Sequence, residues 1–306
     1  MTAPSFLSVC LNPTLQKTAI LPCLRENEVN RSQKTYFDAS GKGINVTRVL
    51  GQLGEQALHL TQAGGRHRDL FLELVAADRV AIDWVDSGSE IRFCYTLLSE
   101  ERATATEIVE EGVTVSPGTE EKVTQAFDRL VPDHNIVIFS GTKAAGFSDA
   151  LFPALVRTAK QQGACVILDV RHADLTCSLE HRPDVIKPNF AEFVATFLST
   201  EMPSEHDEDP TLVEEAGQKM MELRRAYGSE VVLTRGIRST LYTSHEGVLE
   251  APVEPIRATN PIGSGDAFTA GLASVLGRGG TLSDAVRKGH ECGRQNAACV
   301  RPGVIR

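Results

Sequence analysis

What the sequence lacks excludes several functions. No stretch approaches the ~18 continuous apolar residues that a membrane-spanning helix requires. The opening MTAPSFLSVCLNPT has neither a basic stretch nor a long apolar run, so no secretory signal is expected. Basic residues are in deficit: the 306 residues carry 31 Lys and Arg against 40 Asp and Glu, a formal net charge of -9. A general nucleic-acid or anionic-membrane surface is therefore not expected, and an anionic ligand would need a local cationic pocket. The seven cysteines (Cys10, Cys23, Cys94, Cys165, Cys177, Cys292 and Cys299) form no CxxC pair, and the eight histidines form no HExxH or His/Cys cluster. Reduced thiols of a cytoplasmic protein are expected, and a zinc site is not. Two nucleotide signatures are missing too. No GxxxxGKS/T occurs, and neither GKGINV nor GSGDAF completes GxGxxG.

What is present reads as one α/β domain over residues 1–306. At 42% hydrophobic and 23% charged, the composition is that of a soluble globular enzyme. Apolar runs such as SFLSVCLN, ALHLTQAGG, NIVIFSG, ACVILDV, DVIKPN and EVVLTRG alternate with helical patterns such as GINVTRVLGQLG, DALFPALVRTAKQQG and LVEEAGQKMMELRRAYG. Fully apolar strands between amphipathic helices predict a doubly wound, mainly parallel sheet covered on both faces. Residues 14–40 and 91–115 break this rhythm with shorter polar–apolar alternation, and they are expected to form a small antiparallel sheet, or lid. One of its faces could cover the active site and the other could pair with a second subunit. The polar run STEMPSEHDEDPT at 199–211 is expected to be a solvated loop.

Two glycine sites remain after these exclusions. One opens the first strong helix pattern at SGKGINVTRVL; the other opens a late one at NPIGSGDAFTAG. Glycines leading into a helix start let backbone amides close around a phosphate, yet the second site sets a carboxylate, Asp266, in that same place. It needs a reason to be there.

These two segments, with the AGG that follows the first, resemble the two signatures of the ribokinase-like, or PfkB, family of sugar kinases. The markers run from Asn12 to Asn296, and the GKGINVTRVL and LNPT forms are most similar to the 1-phosphofructokinase and tagatose-6-phosphate kinase branch. The resemblance implies a ribokinase-like fold, ATP and Mg²⁺, and a role for Asp266 as the base that takes the proton of the attacking hydroxyl. It also implies an anion hole at Gly263, Ser264 and Gly265, beside Asn260, for the transferring phosphoryl group. On the acceptor side it implies Gln16, Ser40, Gly41, Lys42, Asn45 and Arg92, with Lys42 and Arg92 on an existing phosphate. Asn189 and Glu192 of KPNFAEF match an Asn-x-x-Glu element that organises Mg²⁺ and its waters, since residues three apart share a helix face. Thr234 and Gly236 of LTRGIRS, and Asn296, are matched to nucleotide contacts.

Three positions depart from the family pattern: Gln16 stands for an Asp, Arg68 for a Gly, and Lys143 lies in a changed SGTKAAG turn. All three are expected near the sugar. Three functions are therefore weighed: a kinase of a phosphorylated ketohexose, a kinase of a non-phosphorylated sugar or other small alcohol, and a non-catalytic sugar-phosphate-binding protein.

Overall fold

In a computed structural model the described residues are 3–198 and 209–305. The chain begins with β1 (Ser5–Val9), β2 (Thr14–Leu21), β3 (Lys34–Ser40), α1 (Lys42–Gln52), β4 (Gln56–Ala63) and α2 (Arg68–Ala77). It continues through β5 (Ile82–Asp86), β6 (Arg92–Ser99), β7 (Thr104–Val109), α3 (Thr119–Leu130), β8 (Ile136–Ser140), α4 (Leu151–Gln161) and β9 (Cys165–Asp169). Next come α5 (Ala173–Thr176), β10 (Val185–Ile186), α6 (Phe190–Phe197), α7 (Pro210–Tyr227) and β11 (Glu230–Leu233). The last elements are β12 (Thr240–Thr243), β13 (Val248–Ala251), α8 (Ser264–Gly277) and α9 (Leu282–Ala297).

Among the described residues nine strands form the main sheet, in the order β13-β12-β11-β10-β9-β8-β1-β4-β5. From β5 to β11 every pairing is parallel, which is why these strands are apolar on both faces. In β8, alternation sends Val137 and Phe139 into the core under α3, α4, α6 and α7, and Ile136 and Ile138 into the core under α1, α8 and α9. At the other end of the sheet β12 and β13 pair antiparallel, a feature that the apolar strand runs did not signal. The strand order reverses at β1, so a crevice opens at the carboxyl ends of β1, β8, β9 and β10, where doubly wound sheets hold ligands.

The smaller sheet has the order β3-β2-β6-β7, from the two stretches expected to supply it. It is not purely antiparallel, because β2 and β6 run side by side in the same direction. A long connection through α1, β4, α2 and β5 separates them and makes a parallel pairing possible. Register puts Thr14, Gln16, Asp38, Ser40, Arg92, Cys94 and Thr96 on one face, with Phe37, Phe93 and Tyr95 on the other.

Of the expected 199–211 loop, residues 199–208 lie outside the described residues. Its last part is helix rather than loop: Asp209 caps α7, its carboxylate accepting the Thr211 amide at 2.9 Å, and Pro210 occupies the first helical position.

Candidate active site

The second glycine site is a left-handed turn locked from behind. Gly263 has φ of 82°, and a Cβ there would come within 2.9 Å of Pro302 and 3.2 Å of the Gly303 amide. Asn260 and Asn296, both fully buried, brace the loop rather than face a ligand. Asn260 accepts the Ile262 amide at 3.1 Å and donates to the Val300 carbonyl at 2.8 Å. Asn296 donates to Ile262 O at 2.9 Å and Ser264 Oγ at 3.2 Å, and accepts the Gly303 amide at 2.7 Å. Both were expected as nucleotide contacts; here their side-chain amides are bonded to the loop.

The amides of the expected anion hole differ in their bonding. The Ser264 amide closes on the Pro261 carbonyl at 3.1 Å. Among the described residues the Gly265 and Asp266 amides meet no carbonyl, as the first amides of a helix do not. In front of Gly265 a Cβ would meet nothing within 4 Å, which leaves room for a ligand. An anion at this helix start would meet Gly265 and Asp266 rather than Ser264.

Asp266 is 6% exposed, and its Oδ2 accepts from Asn45 Nδ2 at 2.8 Å. Burial raises its carboxyl from 3.8 to about 7, against the pull of Lys42 and the Asn45 hydrogen bond. A carboxylate that titrates near neutrality can both accept and release a proton at working pH.

Lys42, the first residue of α1, stands between carboxylates, with Nζ 3.8 Å from Asp169 Oδ1 and 3.6 Å from Glu192 Oε1. Its ammonium is pushed above its ordinary value, chiefly by Asp169, against desolvation and with help from Glu192 and Asp266. At 41% side-chain exposure it keeps a face open to the crevice. Asp169, at the end of β9, was not singled out from the sequence. Buried at 2%, it holds Lys187 at 3.3 Å and accepts from Thr269 Oγ1 at 2.9 Å. Burial alone would raise its carboxyl, but Lys187, Lys42 and Thr269 outweigh this and hold it below its ordinary value. The available signal was a charged residue closing an otherwise apolar strand pattern, as in ACVILDV and DVIK.

Asn189 and Glu192 close a capping box on each other: Asn189 Oδ1 accepts the Glu192 amide at 2.8 Å, and Glu192 Oε2 accepts the Asn189 amide at 3.1 Å. Among the described residues no group of three His, Cys, Asp or Glu is arranged to hold a metal ion. This donor set fits Mg²⁺ carried on waters and phosphate oxygens, not one in a protein cage. Thr234 is brought alongside, bridging to Asn189 in parallel, and its carbonyl accepts the Phe190 amide at 2.9 Å. Gly236 lies exposed in the following turn with φ of 60°.

On the small sheet, Gln16 is 2% exposed and donates from Nε2 to Thr96 Oγ1 at 2.7 Å. Ser40 Oγ donates to Asn45 Oδ1 at 3.3 Å, so this face looks onto the partner of Asp266. Arg92 is held through Nη1 by the Glu110 carbonyl at 3.0 Å, while its Nε is buried without an acceptor. Arg68 and Lys143, expected near the sugar, are spent elsewhere. Arg68 pairs with Asp69 at 2.9 Å and Asp86 at 3.5 Å and lies over the Trp84 ring, whereas Lys143 is buried against Asp174 and Phe152.

A buried carboxylate beside free amides at a helix start, with cations across a crevice, is an arrangement suited to phosphoryl transfer to a hydroxyl. Residues 10–303 match the model of the pfkB family of carbohydrate kinases, and the chain belongs to that family. By family its co-substrate is ATP. The chain is 28% identical over 301 residues to the tagatose-6-phosphate kinase of Staphylococcus epidermidis, covering 98% of this chain and 94% of that one. Among solved structures, a Thermotoga maritima protein described as a possible 1-phosphofructokinase superposes with a TM-score of 0.84 at 22% identity, over 99% of this chain and 94% of that one. Phosphofructokinase-2 from Escherichia coli, solved with substrates and products, gives 0.83 at 22% identity over 96% and 93%.

Proposed function

We propose that the protein transfers the γ-phosphoryl group of ATP to a hydroxyl of a phosphorylated ketohexose, with Asp266 as general base. The observation that carries this reading is the pairing of buried Asp266 with the unbonded Gly265 and Asp266 amides, because a nucleophile activated at the carboxylate then faces a phosphoryl group held by those amides. Mg²⁺ on the nucleotide phosphates would neutralise their charge, with Asn189 and Glu192 holding its waters. Lys42 faces the same crevice. Its two-fifths exposure and its place among Asp169, Glu192 and Asp266 suit a cation that exchanges carboxylate partners for phosphate oxygens. Arg92 supports a phosphorylated acceptor, since its buried Nε lacks the acceptor that a phosphate oxygen would supply.

The reading includes a homodimer through the outer face of the small sheet. Phe37 stacks on Phe93 at 6.5 Å and Phe93 on Tyr95 at 6.2 Å, and Ile108 beside them is 52% exposed. A four-stranded sheet with a half-covered aromatic face gains stability from a second copy. Light scattering at micromolar protein should give a dimer mass, and a concentration-independent monomer would refute it. Seven free cysteines support a reducing, cytoplasmic setting.

The decisive assay is ADP release from ATP–Mg²⁺ across a panel of sugars and sugar monophosphates. Fastest turnover of a ketohexose phosphate is expected. Preference for a non-phosphorylated sugar would move the acceptor reading while leaving the chemistry, and ATP binding without turnover of any acceptor would favour a binding protein.

A further inference from the structure

Arg48 has no part in the expected chemistry, yet it is among the most enclosed charges in the molecule, 7% exposed. It lies one helical turn after Asn45 on α1. Its Nη1 donates to Asn45 Oδ1 at 3.0 Å and to the Pro302 carbonyl at 3.1 Å; its Nη2 donates to the Ala39 carbonyl at 2.7 Å and to Asp78 Oδ2 at 2.8 Å. Asn45 ends in a primary amide, one side an acceptor and the other a donor. Arg48 and Ser40 both aim donors at its oxygen. The remaining orientation turns Nδ2 to Asp266, where it donates at 2.8 Å. A flipped amide would set NH₂ against the Arg48 guanidinium, which can only donate, and an oxygen against the Asp266 carboxylate; the Ser40 hydroxyl could turn to accept.

We propose that Arg48 is a positioning residue for the base, fixing the orientation of the Asn45 amide that in turn holds the Asp266 carboxylate. This rests on Asp266 being the base. The guanidinium is itself held from three parts of the fold. Asp78, just past α2, also binds Arg301 at 3.0 and 3.1 Å, and Arg301 reaches Asp38 on β3 through Nε at 2.5 Å. The turn after α9 supplies the Pro302 carbonyl and Gly303, where a Cβ would come within 3.0 Å of both Arg48 Nη1 and Asn45 Oδ1. Other charged or titratable groups facing Asp266 are Lys42 on α1, Asp169 at the end of β9, Lys187 past β10 and the Cys10 thiol past β1. Of the contacts that hold the carboxylate, only the Asn45 hydrogen bond depends on Arg48.

Arg48→Lys keeps a cation opposite Asp78, but one ammonium cannot serve four spread acceptors. With the best acceptor of the panel, it should lower kcat by roughly 10–10²-fold, leave KM for ATP within about 3-fold, and move the acid limb of the pH profile to higher pH. Adding it to Asn45→Ala should cost less than about 2-fold further, because both variants break one chain of contacts. An unchanged kcat and pH limb in a folded Arg48→Lys, or losses that multiply in the double variant, would overturn the proposal. Should Arg48→Lys not fold, a crystal structure of the parent decides. A guanidinium beyond ~3.2 Å of the Asn45 oxygen overturns the assignment, and the contact at hydrogen-bond distance upholds it. Failure of the wider reading would look different: Asp266→Asn would keep parental turnover whatever the Arg48 variants do.

Discussion

The two walls of the crevice are made of different material. At the α8 wall the groups proposed to meet the phosphoryl are backbone amides, fixed by Gly263 against Pro302 and by the buried amides of Asn260 and Asn296. At the small-sheet wall they are side chains on strands, and several carry unspent polarity. Arg92 Nε, Thr18 Oγ1 and Asp38 Oδ2 are buried there without partners. A backbone site survives most changes of side chain, whereas a side-chain site changes with each substitution. In the proposed reading the chemistry is held constant at one wall and the acceptor is chosen at the other.

The sharpest way to break this division is Asp266→Asn. It should lower kcat by ~10²–10⁴ with nucleotide binding by calorimetry nearly unchanged. Retention of activity within a few-fold would sink the assignment. The same variant should raise stability at alkaline pH. The folded-state carboxyl sits at about 7 against an ordinary 3.8, so its ionised form costs folding free energy, and stability is lost as pH rises through this interval. Asn is free of that cost, so Tm at pH 8 should rise by ~2–5 °C, and the gain should vanish below pH ~4.

Arg92→Met tests the other wall. For a phosphorylated acceptor KM should rise by roughly 10–10²-fold with kcat changed little, while a non-phosphorylated sugar should be unaffected. Equal losses on both would remove Arg92 from phosphate binding.

The pH profile comes next in size. If Asp266 is the base it must be ionised, and with its carboxyl raised to about 7, kcat/KM for the acceptor should fall about tenfold per pH unit on the acid side and level off above. A flat profile between pH 5 and 8 would contradict the environment described for Asp266.

The smallest effect is expected from Gln16→Asp. One Gln16 N–H is used on Thr96, which leaves its other N–H and its oxygen for an acceptor hydroxyl, without the charge of a carboxylate. Fructose 1-phosphate and tagatose 6-phosphate should be poorer than the true substrate by ~10–10³ in kcat/KM, and Gln16→Asp should recover ~3–10-fold of that. Parental turnover of these sugars near ~10⁵ M⁻¹s⁻¹ would make Gln16 a tolerated variation.

Legibility in the sequence followed locality. Gly263, Ser264, Gly265 and Asp266 are consecutive, and a helix start imposes their geometry, so the candidate phosphoryl site could be read as a string. Asn189 and Glu192 were legible as a pair for the same reason, though their capping of one another was the plainer half of the reading. The direction of β6 beside β2 was hidden, because polar–apolar alternation is the same in parallel and antiparallel neighbours. Arg68 and Lys143 stood out as departures near the sugar, but their partners Asp86 and Asp174 lie 18 and 31 residues away, and no spacing rule connects them.

The sequence by itself determined the α/β class, the two sources of the small sheet, and the helix start that presents amides and a carboxylate together. Each depends on periodicity or on neighbours within one turn of chain. Only the tertiary structure decided that Asp266 meets Asn45 across 221 residues and that Arg48 meets Pro302 across 254. It alone brought Asp169 and Lys187 from the ends of adjacent parallel strands into one buried pair. Burial and through-space contact set the protonation of a carboxylate, and both are properties of the packed chain.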